Sequence, residues 1–347
     1  MPTLRTLVAI PASLALLLAP AATGSASSAK ATDPFLSQFV IKGRAPAAAL
    51  LDHHGGDVRY AAAGPGIARA DHFRAGSITK TFIATVVLQL AAEHRLSLSD
   101  PVERHLPGLL RGRDTDGRRI TLRALLSHTS GLADFTEVTR GAVPLTPLQA
   151  VRISLALPST GLGRFSYSST DYVVLGMVVR QVTGHSYAAE ARRRIITPLR
   201  LTGTSFPGAR ASLPAPHGRA YAADGSDVTE LDPRVAGAAG ELVTTLDDLD
   251  RFYAALLGGE LLPSHWLREM LSTRAAHGAY GLGIFPVKLS CGTTVWGHNG
   301  RIAGSYVRSA ASVDGRHVLT FRVNTTAVAD PTLEPALLTA EFCPRSR

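Results

Sequence analysis

The segment 77–92, which reads SITKTFIATVVLQLAA, constrains the fold more than any other part of the sequence. It contains no proline or glycine, and after its first turn it is apolar on nearly every face. A helix without a polar face has to be buried on all sides. The sequence therefore predicts a buried helix in a chain of 347 residues, which can surround it with one large domain or two closely packed ones.

Residues 1–31 have the pattern of a secretory signal peptide. Arg5 is the only charge before the apolar run 7–22, and small residues then form two candidate cleavage sites, at 24–26 and 29–31. An uncleaved membrane anchor is the alternative, but the run is short for a span and two prolines interrupt it. No later stretch is long and apolar enough to cross a bilayer, so we expect a secreted protein without a membrane span once the signal is removed.

The basic charge of the chain does not predict a nucleic-acid partner. The formal net charge is +9, and it becomes +7 without residues 1–31 because Arg5 and Lys30 are lost and no acid is. The arginines are scattered, and no motif places a helix in a nucleic-acid groove. Of the 36 basic residues, 32 are arginine and only four are lysine. A lysine on an apolar helix of this chain therefore needs a physical reason.

The order of the predicted elements indicates an α+β fold. Two apolar runs in 47–63 flank a turn-rich centre and predict a β-hairpin, and helical patterns dominate the middle of the chain. Short alternating runs return at 280–287, 293–298, 302–311 and 317–324, followed by a helix at 331–340. We therefore expect an antiparallel sheet flanked by helices and built from both chain ends, with residues 32–95 and 241–347 forming the sheet domain and residues 96–240 an all-α domain.

The two cysteines, Cys291 and Cys343, are too far apart for a metal-binding hairpin. In an exported chain they predict one disulfide, and two free buried thiols remain the alternative. Adjacent His53 and His54 fall in the predicted hairpin turn, and no metal motif supplies them with partners. No metal or other cofactor is expected.

Ser77 and Lys80 form the candidate nucleophile and base. A serine in the first turn of a helix has free backbone amides nearby and the positive end of the helix dipole. Lys80 projects from the same face three residues later, and burial would allow its amine to lose a proton, which a guanidinium cannot do. The alternative is that Ser77 only caps the helix and that Lys80 extends to solvent.

Three ordered motifs resemble the family of serine β-lactamases of class C, D-alanyl-D-alanine carboxypeptidases and their esterase and D-aminopeptidase relatives. The first is Ser-x-x-Lys at 77–80, the second is YSS at 167–169 in place of Tyr-x-Asn, and the third is HNG at 298–300. The stretches LLSHTSGL at 125–132, PLRLTGTSF at 198–206 and AAGELVTTLDDLDRF at 238–252 are also similar. The resemblance covers most of the mature chain and implies the fold described above.

The resemblance also implies roles for individual residues. Tyr167 would carry the proton to the leaving group and later activate water, with the Lys80 cation helping to lower the pKa of its phenol. The backbone amides of Ser77 and Arg301 would form the oxyanion hole. The residues expected to bind substrate are Ser169, His298, Asn299, Gly300 and Arg301.

Ser169 departs from the family pattern, because its hydroxyl reaches less far than the expected asparagine and offers a single donor. Asn299 likewise replaces threonine. The Arg301 side chain either meets a substrate carboxylate or is an exposed edge arginine.

These observations predict a monomeric secreted serine hydrolase acting through an acyl-enzyme at Ser77. The first hypothesis is a D-alanyl-D-alanine carboxypeptidase-like or β-lactamase-like amide hydrolase, with a cell-wall peptide, a β-lactam or an ester as its small-molecule substrate. An esterase or D-aminopeptidase is the alternative, and an inactive relative that binds cell-wall fragments is a further one. An α/β-hydrolase is disfavoured because the chain contains no Gly-x-Ser-x-Gly.

Overall fold

A computed structural model describes residues 33–344, so the predicted signal peptide lies outside the described residues. Eight strands and eleven α-helices follow one another along this part of the chain. The strands are β1 (Ala48–His54), β2 (Asp57–Ala63), β3 (Phe73–Arg74), β4 (Val243–Thr244), β5 (Phe285–Lys288), β6 (Thr294–Ile302), β7 (Ser305–Ala311) and β8 (His317–Val323). The helices are α1 (Asp33–Ile41), α2 (Thr79–Ala92), α3 (Val102–His105), α4 (Leu122–Leu126), α5 (Thr136–Thr139), α6 (Pro147–Ala156), α7 (Ser169–Thr183), α8 (Tyr187–Ala191), α9 (Leu246–Leu257), α10 (Ser264–Met270) and α11 (Leu333–Phe342).

The main sheet has six strands in the order β2-β1-β8-β7-β6-β5, and every neighbouring pair is antiparallel. The N-terminal hairpin β1–β2 joins the C-terminal strands through β1 and β8, where Leu51 lies opposite Thr320. A sheet built from both chain ends is thus confirmed, and with it the α+β fold class. Between α2 and β4 the described chain contains the α-helices α3 to α8 and contributes no strand to this sheet. The exact division into domains stays a prediction.

The segment 77–92 is the buried helix that the sequence predicts. A 3₁₀ turn, Gly76–Ile78, leads into α2, and all residues of α2 except Gln89 and Ala92 are buried. On one side Phe82 stacks on Phe252 of α9 with ring centroids 3.8 Å apart. Because α7 and α8 also contact α2, the helix is enclosed and can carry a polar group into a region shielded from water.

The helices α1 and α11 pack against a second apolar cluster that includes β1 and β8 residues. Phe39 of α1 stacks on Phe321 of β8 at 5.0 Å between ring centroids. Cys291 and Cys343 form the predicted disulfide, with their Cα atoms 5.9 Å apart, which excludes the alternative of free thiols. Within residues 33–344, no helix combines the length and the apolar character needed to cross a bilayer.

The strand β6 differs from the sequence-based expectation. The predicted strand stops at residue 298, whereas β6 continues through Ile302 and turns only at Ala303 and Gly304. The polar run His298-Asn299-Gly300-Arg301 breaks the apolar alternation, but it still pairs with β7 from Ser309 to Tyr306. Backbone hydrogen bonds therefore continue the strand where the hydrophobic pattern fails, and the HNG motif lies inside it.

Candidate active site

Ser77 and Lys80 lie side by side at the start of α2. The Lys80 side chain is completely buried, and its Nζ donates to Ser77 Oγ at 3.1 Å and to the Ala239 carbonyl oxygen at 2.8 Å. Ala239 belongs to a second 3₁₀ turn, Gly237–Ala239, which precedes β4. This geometry contradicts the alternative of a solvent-exposed lysine.

Burial lowers the pKa of Lys80 from 10.5 to about 7. Loss of hydration disfavours the ammonium, and the carboxylates of Asp134 and Asp171 only partly offset this effect. At neutral pH roughly half of the lysine is therefore a free amine. A free amine at 3.1 Å from the Ser77 hydroxyl is positioned to act as its general base.

Tyr167, just before α7, lies next to Ser77 and Lys80, with the centre of its ring 4.9 Å from Lys80 Nζ. Its hydroxyl forms a hydrogen bond with Ser77, while 38% of the residue remains exposed to the cleft. The expectation that the lysine cation lowers the pKa of Tyr167 is wrong in its net direction. Burial of the phenol end raises that pKa above its ordinary value and outweighs the hydrogen bond to Ser77, so Tyr167 is a proton donor rather than a phenolate.

A buried network behind Tyr167 holds it in place. His128 and Ser130, in the loop after α4, approach opposite oxygens of Asp171 in α7, at 2.9 and 2.5 Å. The His128 ring lies 4.3 Å from the Tyr167 ring, and the Ser168 amide donates to His128 Nδ1 at 3.2 Å. These contacts fix the N-terminus of α7 and the tyrosine that precedes it. The sequence shows them only as the polar residues of LLSHTSGL and of α7.

The backbone of β6 faces the turn that carries Ser77. Ala303 and Gly304 form a two-residue hairpin turn, so Ile302 and Ser305 are its hydrogen-bonded pair and the next residue, Arg301, directs its amide away from β7. A Cβ built on Gly76 would lie 2.8 Å from this Arg301 nitrogen. The Arg301 nitrogen thus lies close to the turn that carries Ser77, and an oxyanion hole formed by the two amides stays a prediction.

Gly300 is required for this close approach. A Cβ at this position would lie 1.8 Å from the carbonyl oxygen of Ala75 and 3.2 Å from the Ser77 nitrogen. We predict that Gly300→Ala lowers kcat/KM by about 10²-fold or more, because β6 has to move away and one oxyanion donor is lost. Steady-state kinetics and thermal unfolding check this, with Gly112→Ala as control, since neither Gly112 nor Gly300 has a positive φ and a Cβ at Gly112 comes no closer than 3.4 Å to its neighbours. Unchanged kinetics in Gly300→Ala would contradict the prediction.

The structure places His298 beneath the cleft rather than at its surface. The residue is 1% exposed, its Nδ1 donates to the Asn299 carbonyl, and its Nε2 accepts from the Tyr280 hydroxyl at 2.7 Å. Burial lowers the pKa of His298 to about 3, so the ring is neutral. A direct substrate contact by His298 therefore stays a prediction. Tyr280, which the sequence indicates only as the start of a strand, fixes the orientation of the ring.

The cleft in front of Ser77 has a volume of about 860 Å³. It is lined by Tyr167, by the predicted substrate-binding residues Ser169, Asn299 and Arg301, and by the backbone of the Gly237–Ala239 turn. Ser169 forms no hydrogen bond with Lys80: among residues 33–344 the Lys80 Nζ donates to Ser77 and Ala239. The shorter hydroxyl thus leaves room where the family pattern has asparagine.

Asp134 is a further residue of the cleft that the sequence analysis missed. It follows the LLSHTSGL stretch by two positions, and its half-buried carboxylate lies on the same wall as Ser77 and Tyr167. Oδ1 accepts from the amide and the hydroxyl of Thr136 at 2.9 and 2.8 Å, which fixes the side chain. A fixed carboxylate in the cleft favours a substrate with a positively charged group.

One group of side chains outside the cleft has the composition of a metal site. Single ligand atoms of Asp52, His317 and Glu341 lie within 4.8 Å of one another. However, Arg59 ion-pairs with both carboxylates, at 4.0 Å from Asp52 and 3.6 Å from Glu341. The cluster has its own cation and is explained as a contact that holds α11 to the sheet.

Comparison with known proteins agrees with this geometry. The model of the Beta-lactamase family matches residues 32–332. Penicillin-binding protein 4 of Amycolatopsis lactamdurans is 33% identical over 196 residues, which are 52% of this chain and 49% of that protein. This chain spans about half the length of the curated penicillin-binding relatives that it matches.

Two solved structures are similar over nearly their whole length. A D-stereospecific amidohydrolase from Streptomyces sp. has a TM-score of 0.83 and 40% sequence identity, and the match covers 91% of this chain and 98% of that one. A D-amino acid amidase from Ochrobactrum anthropi SV3 has a TM-score of 0.78 and 26% identity, over 89% and 96% of the two chains.

Proposed function

We propose, from the premise that this chain belongs to the Beta-lactamase family, that it hydrolyses amides of D-amino acids that have a free amino group. The observation that carries the proposal is the position of Asp134, a carboxylate in the cleft that holds Ser77, Lys80 and Tyr167. The similarity to a D-stereospecific amidohydrolase and a D-amino acid amidase supports the D configuration. The chain thus takes the D-aminopeptidase branch among the alternatives above.

Acylation follows from the contacts of Lys80. Its neutral amine accepts the Ser77 proton while Oγ attacks the substrate carbonyl, and the amides of Ser77 and Arg301 stabilise the oxyanion. Tyr167 donates its proton to the departing nitrogen, and the newly formed Lys80 ammonium returns a proton to the phenol. Attack by water, with the same groups in reverse roles, releases the D-amino acid.

Asp134 would bind the α-ammonium group of the substrate. A charge-assisted hydrogen bond in a partly buried site contributes about 1.5–3 kcal/mol to binding. Arg140 and Arg301 line the same cleft, but among residues 33–344 no arginine or lysine forms an ion pair with Asp134. Lys80 is about half neutral and already bonded to Ala239. The cleft therefore has one anionic group available for a cationic substrate.

We predict that Asp134→Asn raises KM for D-phenylalanine amide by tenfold or more, because the asparagine amide keeps the size but not the charge. N-acetyl-D-phenylalanine methyl ester, which has no ammonium, should be hydrolysed by wild type and variant with kcat/KM values that agree within about threefold. Steady-state kinetics with both substrates and with L-phenylalanine amide test the proposal. Equal losses on the two D-substrates, or a preference for the L-amide, would contradict it.

A carboxypeptidase acting on D-alanyl peptides is the second candidate, and Arg301 is the observation that favours it. Its side chain is exposed, lines the cleft and has no ion-pair partner among residues 33–344. It could accept the C-terminal carboxylate of a peptide. Turnover of an N-acylated D-alanyl-D-alanine peptide that Arg301→Ala abolishes would favour this candidate over the amidase. Export through residues 1–31 and a monomeric state stay predictions.

A further inference from the structure

A second cavity lies on the other side of the Gly237–Ala239 turn from Lys80. Its volume is about 430 Å³, within the range of small-molecule sites, and its wall is formed by α6, α7, α8 and residues near 206 and 234–241. The lining is mostly apolar and partly aromatic. The lining includes Phe135, Val173, Met177, Tyr187, Phe206 and Glu241.

Glu241 is the unusual group in this cavity. It is 4% exposed, and Tyr187 Oη donates to its Oε1 at 2.7 Å. Within residues 33–344 the second carboxylate oxygen has no hydrogen-bond partner, and no arginine, lysine or histidine forms an ion pair with the side chain. Burial raises the pKa of Glu241 to about 7, because a buried carboxylate that has no cation beside it loses hydration and is more easily protonated.

The two arginines at the cavity do not supply that cation. Arg234 forms a bidentate pair with Asp232, with Nε at 3.0 Å from Oδ1. Arg180 is exposed at the end of α7 and forms no bond to Glu241. A carboxylate that is 4% exposed, lines a cavity with aromatic side chains and has no cation partner within residues 33–344 has the chemistry of an ammonium site.

We propose that this cavity binds an apolar primary amine, with the ammonium group on Glu241 and the hydrocarbon part against Phe135, Phe206 and Tyr187. The site is separate from the catalytic cleft, where Asp134 is the carboxylate. It is also connected to it, because the Glu241 amide donates to Gly237 at 3.0 Å and the same turn presents the Ala239 carbonyl to Lys80. An occupied cavity therefore contacts the segment that positions the catalytic lysine.

Isothermal titration of 2-phenylethylamine into Asp134→Asn protein tests the proposal, because this background removes the carboxylate of the cleft. We expect one binding site, and we expect 2-phenylethanol, which has nearly the same shape without the charge, to bind at least tenfold more weakly. Adding Glu241→Gln to this background should weaken amine binding by tenfold or more. No turnover is measured, so the outcome is independent of the proposed amidase activity.

A second variant covers the case in which Glu241→Gln fails to fold. Ala188, half-buried on α8, lines the cavity, and Ala188→Leu fills part of it while leaving the carboxylate in place. We expect Ala188→Leu to weaken binding of the amine by tenfold or more. The proposal is overturned if the amine does not bind, if the alcohol binds equally well, or if a folded Glu241→Gln or Ala188→Leu protein binds the amine as tightly as its parent.

Discussion

Replacing Lys80 with arginine is expected to slow acylation of Ser77 by about 10³-fold or more. The buried amine has a pKa of about 7 and is therefore partly neutral, whereas a guanidinium stays protonated even when buried. The variant keeps a cation near Ser77 and Tyr167 but loses the base. The rate of p-nitrophenol release in the first turnover, with p-nitrophenyl acetate as substrate, measures this step directly.

Lys288→Arg is the matched control for this experiment, because Lys288 lies exposed on β5 and its substitution makes the same chemical change at the surface. We expect the control to acylate at the wild-type rate. Circular dichroism and thermal unfolding show whether Lys80→Arg is folded, since a larger cation has to fit the same buried space. A folded Lys80→Arg protein that acylates within tenfold of wild type would show that Lys80 is not the base.

Replacing Ser77 with alanine is expected to abolish the covalent adduct and to lower kcat/KM by about 10⁴-fold or more, because no other group can form the acyl-enzyme. The half-buried hydroxyl of Ser77 lies 3.1 Å from the Lys80 amine, and the Arg301 nitrogen lies close to the turn that carries Ser77. Intact mass spectrometry after incubation with activated D-phenylalanine esters and penicillins reports both the adduct and its lifetime.

Ser168→Ala is the control for Ser77→Ala, because Ser168 lies next to Tyr167 and its buried Oγ has no hydrogen-bond partner among the described residues. The control should keep the adduct, and peptide mapping should place it on the peptide that contains Ser77. An adduct on the Ser77→Ala protein, or none on the folded wild type with any probe, would refute the nucleophile. The latter result would favour the inactive cell-wall-binding relative.

Local patterns explain which features could be predicted from the sequence. The buried helix α2 is apolar on all faces, the strands alternate, and Ser77 and Lys80 are three residues apart on one helix, so each prediction depends on neighbours in the chain. The sheet built from both ends followed from the order of the elements. The disulfide followed from two cysteines in a chain that begins like an exported one.

The remaining features depend on contacts between distant segments. Asp134 enters the cleft because the loop after α4 is tied to α7, and His298 is buried where Tyr280 forms a hydrogen bond with its ring. In the sequence, Glu241 is one more polar residue in AAGELVTTL, and only the structure shows its hydrogen bond with Tyr187. The direction of the pKa shift of Tyr167 could not be derived either, because burial determines that direction and a sequence does not give burial.

The pH dependence of acylation tests the central claim, that a neutral Lys80 amine activates Ser77, most directly. A lysine has to lose its proton to act as a base, so the rate should rise as the pH increases through about 7 and then level off. The measurement is the first-turnover rate with p-nitrophenyl acetate, a substrate without titrating groups, between pH 5 and about 9. A rate that falls over this range, or that stays constant while the protein remains folded, would contradict the account.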